Sequence, residues 1–274
     1  MPALVVSFPF DLFGHAGAGA GARLLAEAIR EMLADNRREK QPSRVSAYQD
    51  KVRLREVDFE TMAEVADWRK MGRQLARSAL QRGDFLIWLG GNHLSVLPVL
   101  EELGALTGTC VVQFDAHLDV YNLSDCTTEL SHGNFLLHAA EPLPPIAHVG
   151  HRDLFLPTEH VSKHFREVVS AEEMARDPEV AESRLKKFVE SAKRLWIDID
   201  CDVLDPASFP ATGHTLPFGL MPMHLLRLLN AIWSDHVAGV SISEFEPARD
   251  QNDRCVGMLV WLIEWLLLHK FEKA

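Results

Sequence analysis

Short apolar runs alternate along this chain with longer stretches in which apolar positions recur at helical spacing. The runs at Leu4–Ser7, Val45–Tyr48, Phe85–Leu89, Cys110–Phe114, Ile146–Val149, Leu195–Ile199 and Val237–Ile242 read as strands. Helical patterns are clearest over Ala22–Leu33, Phe59–Gln81, Ser131–Ala140, Val180–Ala192, Met223–Trp233 and Cys255–Lys270. Such alternation predicts an α/β fold with a mostly parallel sheet flanked by helices. No shift in composition, repeat or Pro/Ser-rich linker breaks the chain, so residues 1–274 are expected to form a single domain.

In a parallel sheet, ligands bind outside the carboxyl ends of the strands. The polar motifs fall at those ends. Gly90-Gly91-Asn92-His93 follows FLIWL, Asp115-Ala116-His117-Leu118-Asp119 follows VVQF, and Asp198-Ile199-Asp200 closes the run begun by LWI. An Asp-x-His-x-Asp triplet after a buried strand needs partners for three ionisable groups, and extended geometry turns all three to one face. A divalent metal is the simplest partner; a solvated loop is the bland alternative. Asp198 and Asp200 pose the same problem, since two converging carboxylates repel unless a cation intervenes, although a turn or capping cluster would also account for them. Asp202 and Asp205 continue the series, Asp205 as a turn residue before Pro206. His93 alone would pass for a hydrogen-bonded loop histidine. Taken together, two histidines and four aspartates form an oxygen and nitrogen set without thiolate, which suits Mn(II) better than structural zinc. Six ligands are too many for one open catalytic ion, so two metals sharing bridging carboxylates is the economical arrangement.

Composition narrows the partners. With 47% hydrophobic and 24% charged residues, the 274-residue chain can bury a sizeable core. A formal charge of −11 argues against nucleic acid and suits a cationic small molecule. Met1–Phe10 lacks the pattern of a secretory signal. The run MLVWLIEWLLL over Met258–Leu268 is interrupted by Glu264 and shorter than the ~20 residues of a membrane span, so a core or oligomer helix is expected there. Cys110, Cys126, Cys201 and Cys255 are too few and scattered for a disulfide framework, which fits a reducing cytoplasm. Cys201, between two aspartates, should point away from them into packing.

The order of the motifs GGNH, FDAHLD, SHG, DIDCDVLDPASFPATG and SEFEP resembles the ureohydrolase family of arginases, agmatinases and formimidoylglutamases, from near Ser7 to near Asp250. The resemblance implies a three-layer α/β/α sandwich with a mostly parallel central sheet. It also implies two Mn(II) per chain: one held by His93, Asp115, Asp119 and Asp198, the other by His117, Asp115, Asp198 and Asp200. Asp115 and Asp198 would then bridge, with a bridging water as nucleophile. His132 matches the family's proton shuttle and Glu244 the glutamate that faces the substrate's guanidinium. Members are often trimers or hexamers, so a homo-oligomer is compatible with it.

Several positions depart from that pattern. Asn92 replaces the usual Asp, His214 stands where many members have Thr, and Glu246 replaces a common Asn. Tyr121 and Thr128 occupy the places where arginases bind the amino acid head group, with Asn122 one position late. These residues mark a substrate site distinct from that of an arginase. The implied activity is hydrolysis of the C–N bond of a small cationic guanidino or amidino compound. Rivals are a fold-related zinc deacetylase, which would carry the adjacent histidines absent here, and a member of the family without catalysis. A dinucleotide enzyme is a third, on the glycine pattern in Gly14–Ala22. That segment is better explained as a loop leading into a helix and shaping the pocket mouth, because the preceding strand ends too early for a tight phosphate turn.

Overall fold

The computed structural model describes residues 2–272. Its strands are β1 (Ala3–Phe8), β2 (Val52–Glu56), β3 (Phe85–Gly90), β4 (Thr109–Phe114), β5 (Ile146–His151), β6 (Glu167–Ser170), β7 (Arg194–Asp200) and β8 (Val237–Ser243). They pair in parallel as one eight-stranded sheet of order β2-β1-β3-β8-β7-β4-β5-β6. Because all strands point the same way, the carboxyl ends of β3, β8, β7 and β4 lie side by side in the middle of one sheet edge.

Helices cover both faces. Alternate residues of β1 enter different cores, as a period-two strand buried on both sides requires. Ala3 and Val5 pack with residues of Ala18–Arg38, Pro178–Val189, Pro222–Ile232 and Arg254–Phe271. Leu4, Val6 and Phe8 pack with Trp68–Arg82 and Leu97–Gly104 on the opposite face. The result is the three-layer α/β/α sandwich expected from the sequence. Among the described residues no helix is long and apolar enough to cross a membrane. The apolar run near the end is the helix Arg254–Phe271, which turns Leu259, Leu262, Ile263, Leu266 and Leu267 into the core.

Three predicted elements differ. Val45–Tyr48 is not a strand: Arg44–Ala47 is a single 3₁₀ turn, and the edge strand that pairs with β1 is β2, VRLRE. Charged side chains on an edge strand deter further pairing and hide its alternation. Phe59–Gln81 divides into Met62–Ala66 and Trp68–Arg82 at Asp67. Ser131–Ala140 forms only the 3₁₀ turn Phe135–His138. Asn134 explains this, because its side chain accepts from Ser131 N (2.8 Å) and donates to the carbonyls of Thr127 (3.0 Å) and Glu129 (2.8 Å), competing with helical bonds.

Candidate metal centre

The loops after the four central strands converge on a recess of about 180 Å³ lined by residues of every one of them. After β3 the chain turns through Gly91, where a Cβ would lie 2.2 Å from the Phe10 carbonyl oxygen, and so delivers His93 to the recess floor. Asp115, His117 and Asp119 follow β4, Asp200 ends β7, and Glu244 follows β8. Asp119 and Glu244 have positive φ (50° and 62°), a left-handed backbone conformation uncommon outside glycine.

His93 is the hub, buried to 1% exposure. Its Nδ1 lies 3.0 Å from Asp115 Oδ2, 3.0 Å from Asp119 Oδ2 and 3.2 Å from Asp200 Oδ2. A second group forms around His117, whose Nδ1 is 2.8 Å from Asp202 Oδ2 and 3.8 Å from Asp115 Oδ1. Asp115 thus offers one oxygen to each histidine. Three-residue sets close enough to hold an ion are His93 with Asp115 and Asp200, Asp115 with His117 and Asp202, and, on the outer side, His15 with His132 and Glu244.

Asp198, expected to bridge, lies elsewhere. Its Oδ2 is 2.9 Å from the opposite nitrogen of His93, Nε2, and accepts from the Gln113 amide at 3.2 Å, while its Oδ1 accepts from Ser241 Oγ at 2.5 Å. Both donors are its register partners on β8 and β4. Asp198 and Asp200 share a face, but two residues of strand separate them by about 6.5 Å in depth. Asp198 therefore sits beneath the histidine and holds its Nε2 side, leaving Nδ1 for the recess, as carboxylates behind metal-binding imidazoles do. Asp202, one step beyond Asp200 in the same series, takes the second place at the recess.

The electrostatics call for cations. Burial, then the charges of Asp119 and Asp202, push the Asp115 carboxyl up to about 8. Burial and the neighbouring Asp202 and Asp115 raise Asp200 as well. Burial works against the charged form of His117, yet Asp202 and Asp115 lift it to about 10. His93 behaves alike, its burial outweighed by Asp198, Asp115 and Asp119. His93 Nδ1 and Asp115 Oδ2 are buried without a hydrogen-bond partner. Two carboxylates, Asp115 and Asp200, kept neutral by burial and neighbouring charge, beside imidazoles holding protons, form an arrangement that divalent ions relieve by replacing the protons.

The loop carrying Asp202 is held by Arg152. Its guanidinium donates to the carbonyls of Val203 (2.9 Å), Asp202 (2.7 Å), Leu216 (3.1 Å) and Gly150 (3.3 Å), and its backbone N–H donates to Ala116 O (2.9 Å).

On the outer side, Glu244 Oε1 accepts from His93 N (2.9 Å) and faces His132 Nδ1 at 3.4 Å. Burial lowers His132, but Glu244 reverses this and raises it. His214 lines the mouth, its imidazole lowered by burial and by His132 and His15. Asn122 is exposed and does not line the recess, where Tyr121 stands instead. Glu246 lies one layer out, 3.3 Å from His15 Nε2. His15 itself was not singled out in the sequence, because nothing about a histidine in a glycine-rich loop signals its approach to Glu244 across more than two hundred residues.

Comparison with known proteins bears on the fold and the family. Over 183 residues the chain is 29% identical to the agmatinase of Neisseria meningitidis serogroup A, covering 65% of this chain and 57% of that protein. The chain thus spans a little over half the length of such relatives. Among solved structures, a hypothetical agmatinase from Burkholderia thailandensis superposes with a TM-score of 0.80 at 22% identity, over 98% of this chain and 85% of that one. The formimidoylglutamase of Bacillus subtilis gives 0.78 at 20% identity, over 99% and 87%. At those identities the likeness establishes the fold. Membership follows from the sequence as a whole: residues 1–268 match throughout, and the chain belongs to the Arginase family.

Proposed function

We propose that this chain, acting as a single domain, is a binuclear manganese-dependent hydrolase that cleaves a C–N bond of a guanidino or amidino compound. The observation that carries it is Asp115, with Oδ2 toward His93 Nδ1 and Oδ1 toward His117 Nδ1 beside the buried carboxylate of Glu244. His93, Asp115, Asp119 and Asp200 would hold one ion; His117, Asp115, Asp200 and Asp202 the other. Oxygen-rich ligation with one imidazole per ion and no thiolate suits Mn(II). When bound, the pair supplies the Lewis acidity that lets water act as a nucleophile at neutral pH.

The remaining steps belong to the protein. Glu244 presents an oxygen to the recess, where paired N–H donors of a guanidinium fix the orientation of its central carbon. A C–O bond then forms from water as the C–N bond breaks. His132, held near Glu244, gives a proton to the departing nitrogen, so that an amine and a urea or amide product leave. No Lys or Arg lines the recess among the described residues, so a substrate carboxylate finds no fixed cation. That favours agmatine-like or shorter guanidino compounds over arginine.

The test is a screen of manganese-loaded protein against arginine, agmatine, guanidinobutyrate, guanidinopropionate, guanidine and formimidoylglutamate, reading urea, or formamide for the last. Turnover of a guanidino compound without a carboxylate, at higher kcat/KM than arginine, is expected. Absence of product from all six rejects the proposal.

A further inference from the structure

The carboxylate proposed to receive the substrate already has a partner. His15 turns Nδ1 toward Glu244 Oε2 at 3.5 Å and Nε2 toward Glu246 Oε2 at 3.3 Å. Glu244 Oε1 is committed to the backbone of His93, so Oε2 is the oxygen left for an incoming cation, and His15 faces it. Glu246 has a cation of its own, Arg249 Nε at 2.6 Å. The imidazole thus sets one nitrogen, Nδ1, against the oxygen to which an amidinium N–H would donate.

The ring is held there by its surroundings. Asp11 Oδ2 accepts from Gly17 N (2.9 Å) and Gly19 N (3.0 Å), closing the segment that bears His15. Asn92 Nδ2 donates to Leu12 O at 3.0 Å, and His132 N donates to Phe13 O at 3.0 Å. An aspartate at position 92 could not make that donation and would face the carbonyl with like charge. Against the other side of the ring lies Gly213, where a Cβ would come within 1.9 Å of His15 Nε2. Yet the contact at Glu244 is loose: His15 Nδ1 is buried and makes no hydrogen bond. The histidine occupies the place without saturating it.

We propose that His15 is an internal competitor that occupies the seat of the substrate cation and yields only to a planar ligand with paired N–H donors. This rests on Glu244 as the cation acceptor. An amidinium donates two charge-assisted bonds where the imidazole offers one uncommitted nitrogen, so it can displace the ring; a neutral amide gains too little. His15 therefore reduces the apparent affinity of a ligand that pairs with Glu244 Oε2 by the cost of displacing the ring, whereas a neutral amide, which does not take that place, is unaffected by it.

The experiment is calorimetric titration of the manganese-loaded protein with acetamidinium, and with acetamide as the neutral control, in wild type and His15→Ala. Removing the competitor should tighten acetamidinium about tenfold, equivalent to about 1.4 kcal/mol, with acetamide unchanged. KM for the best guanidino substrate should fall while kcat changes little. Asp11→Ala, which frees the segment without removing the imidazole, should act in the same direction and serves if His15→Ala fails to fold. Unchanged or weaker acetamidinium binding overturns the proposal, as does equal tightening of acetamide. If binding tightens but no guanidino compound is hydrolysed by either protein, the proposed activity falls and the role of His15 stands.

Discussion

Asp198 and Asp202 make opposite predictions, although each is a buried aspartate in the same period-two series. Asp202 Oδ2 faces His117 Nδ1 at 2.8 Å and its Oδ1 accepts from Ala116 N at 3.1 Å. Truncation to Ala should remove a direct ligand, so that metal content after desalting falls from two equivalents toward one. Asp198→Ala leaves every oxygen at the recess in place but strands His93 Nε2, the Ser241 hydroxyl and the Gln113 amide in a fully buried site. Unsatisfied buried groups cost about 1–3 kcal/mol each before relaxation, and a total near 3 kcal/mol corresponds to a fall in Tm of about 5–10 °C in a chain of this size. Loss of an outer partner of a metal-binding histidine weakens metal affinity by about 10- to 100-fold, which saturating manganese overcomes. The assay is metal analysis at limiting and saturating manganese, with Tm measured in parallel. A stoichiometry of one or zero for Asp198→Ala at saturation, with two retained by Asp202→Ala, would refute the assignment drawn from the geometry.

Four further outcomes are expected. Because Asp115 at about 8 and His117 at about 10 hold protons that a metal must displace, apparent manganese affinity should rise from pH 6 to 9, by about tenfold per pH unit for each proton released; a flat profile contradicts it. The same shifts set stability: the raised Asp115 gives the folded metal-free protein extra protons between the ordinary carboxylate value and about 8, and the raised His117 stabilises below its ordinary value and loses this as pH rises through about 10. Melting in EDTA should therefore weaken as pH rises while the manganese form holds, widening the gap in Tm; a narrowing gap counts against it. His132→Asn should keep both ions and lose about 10² to 10⁴-fold in kcat, and retention of full turnover removes it from proton transfer. Glu244→Gln should keep fold and metal content but sharply weaken turnover of every cationic substrate, and wild-type rates would exclude guanidinium pairing there.

The strands that matter for the site were legible because they are buried on both faces and read as unbroken apolar runs: β3, β4, β7 and β8 all lie where the sequence placed them. β2 was missed because its edge position calls for Arg and Glu, and β6 because it is only four residues long. At the site, alternation identified the face of the aspartate series but not its depth. Asp198, Asp200 and Asp202 look equivalent at spacing two, and which pair reaches the recess depends on where β7 stops relative to β4 and β8. That is a property of the sheet's edge, fixed by register. Asn92 was visible as a departure from the family; its purpose, holding the carbonyl of Leu12, required the fold.

Arg152 gives the metal loops an internal scaffold. Its guanidinium binds main-chain carbonyls around Asp202, and its backbone ties to Ala116 inside the Asp-x-His-x-Asp segment, so the two ligand-bearing loops are stitched to each other by hydrogen bonds that involve no ligand atom. Ions entering such a site would meet walls already standing and need only exchange protons with them. Metal capture at the proposed centre would then be a titration of a preformed vessel, separable from the folding of the loops that form it.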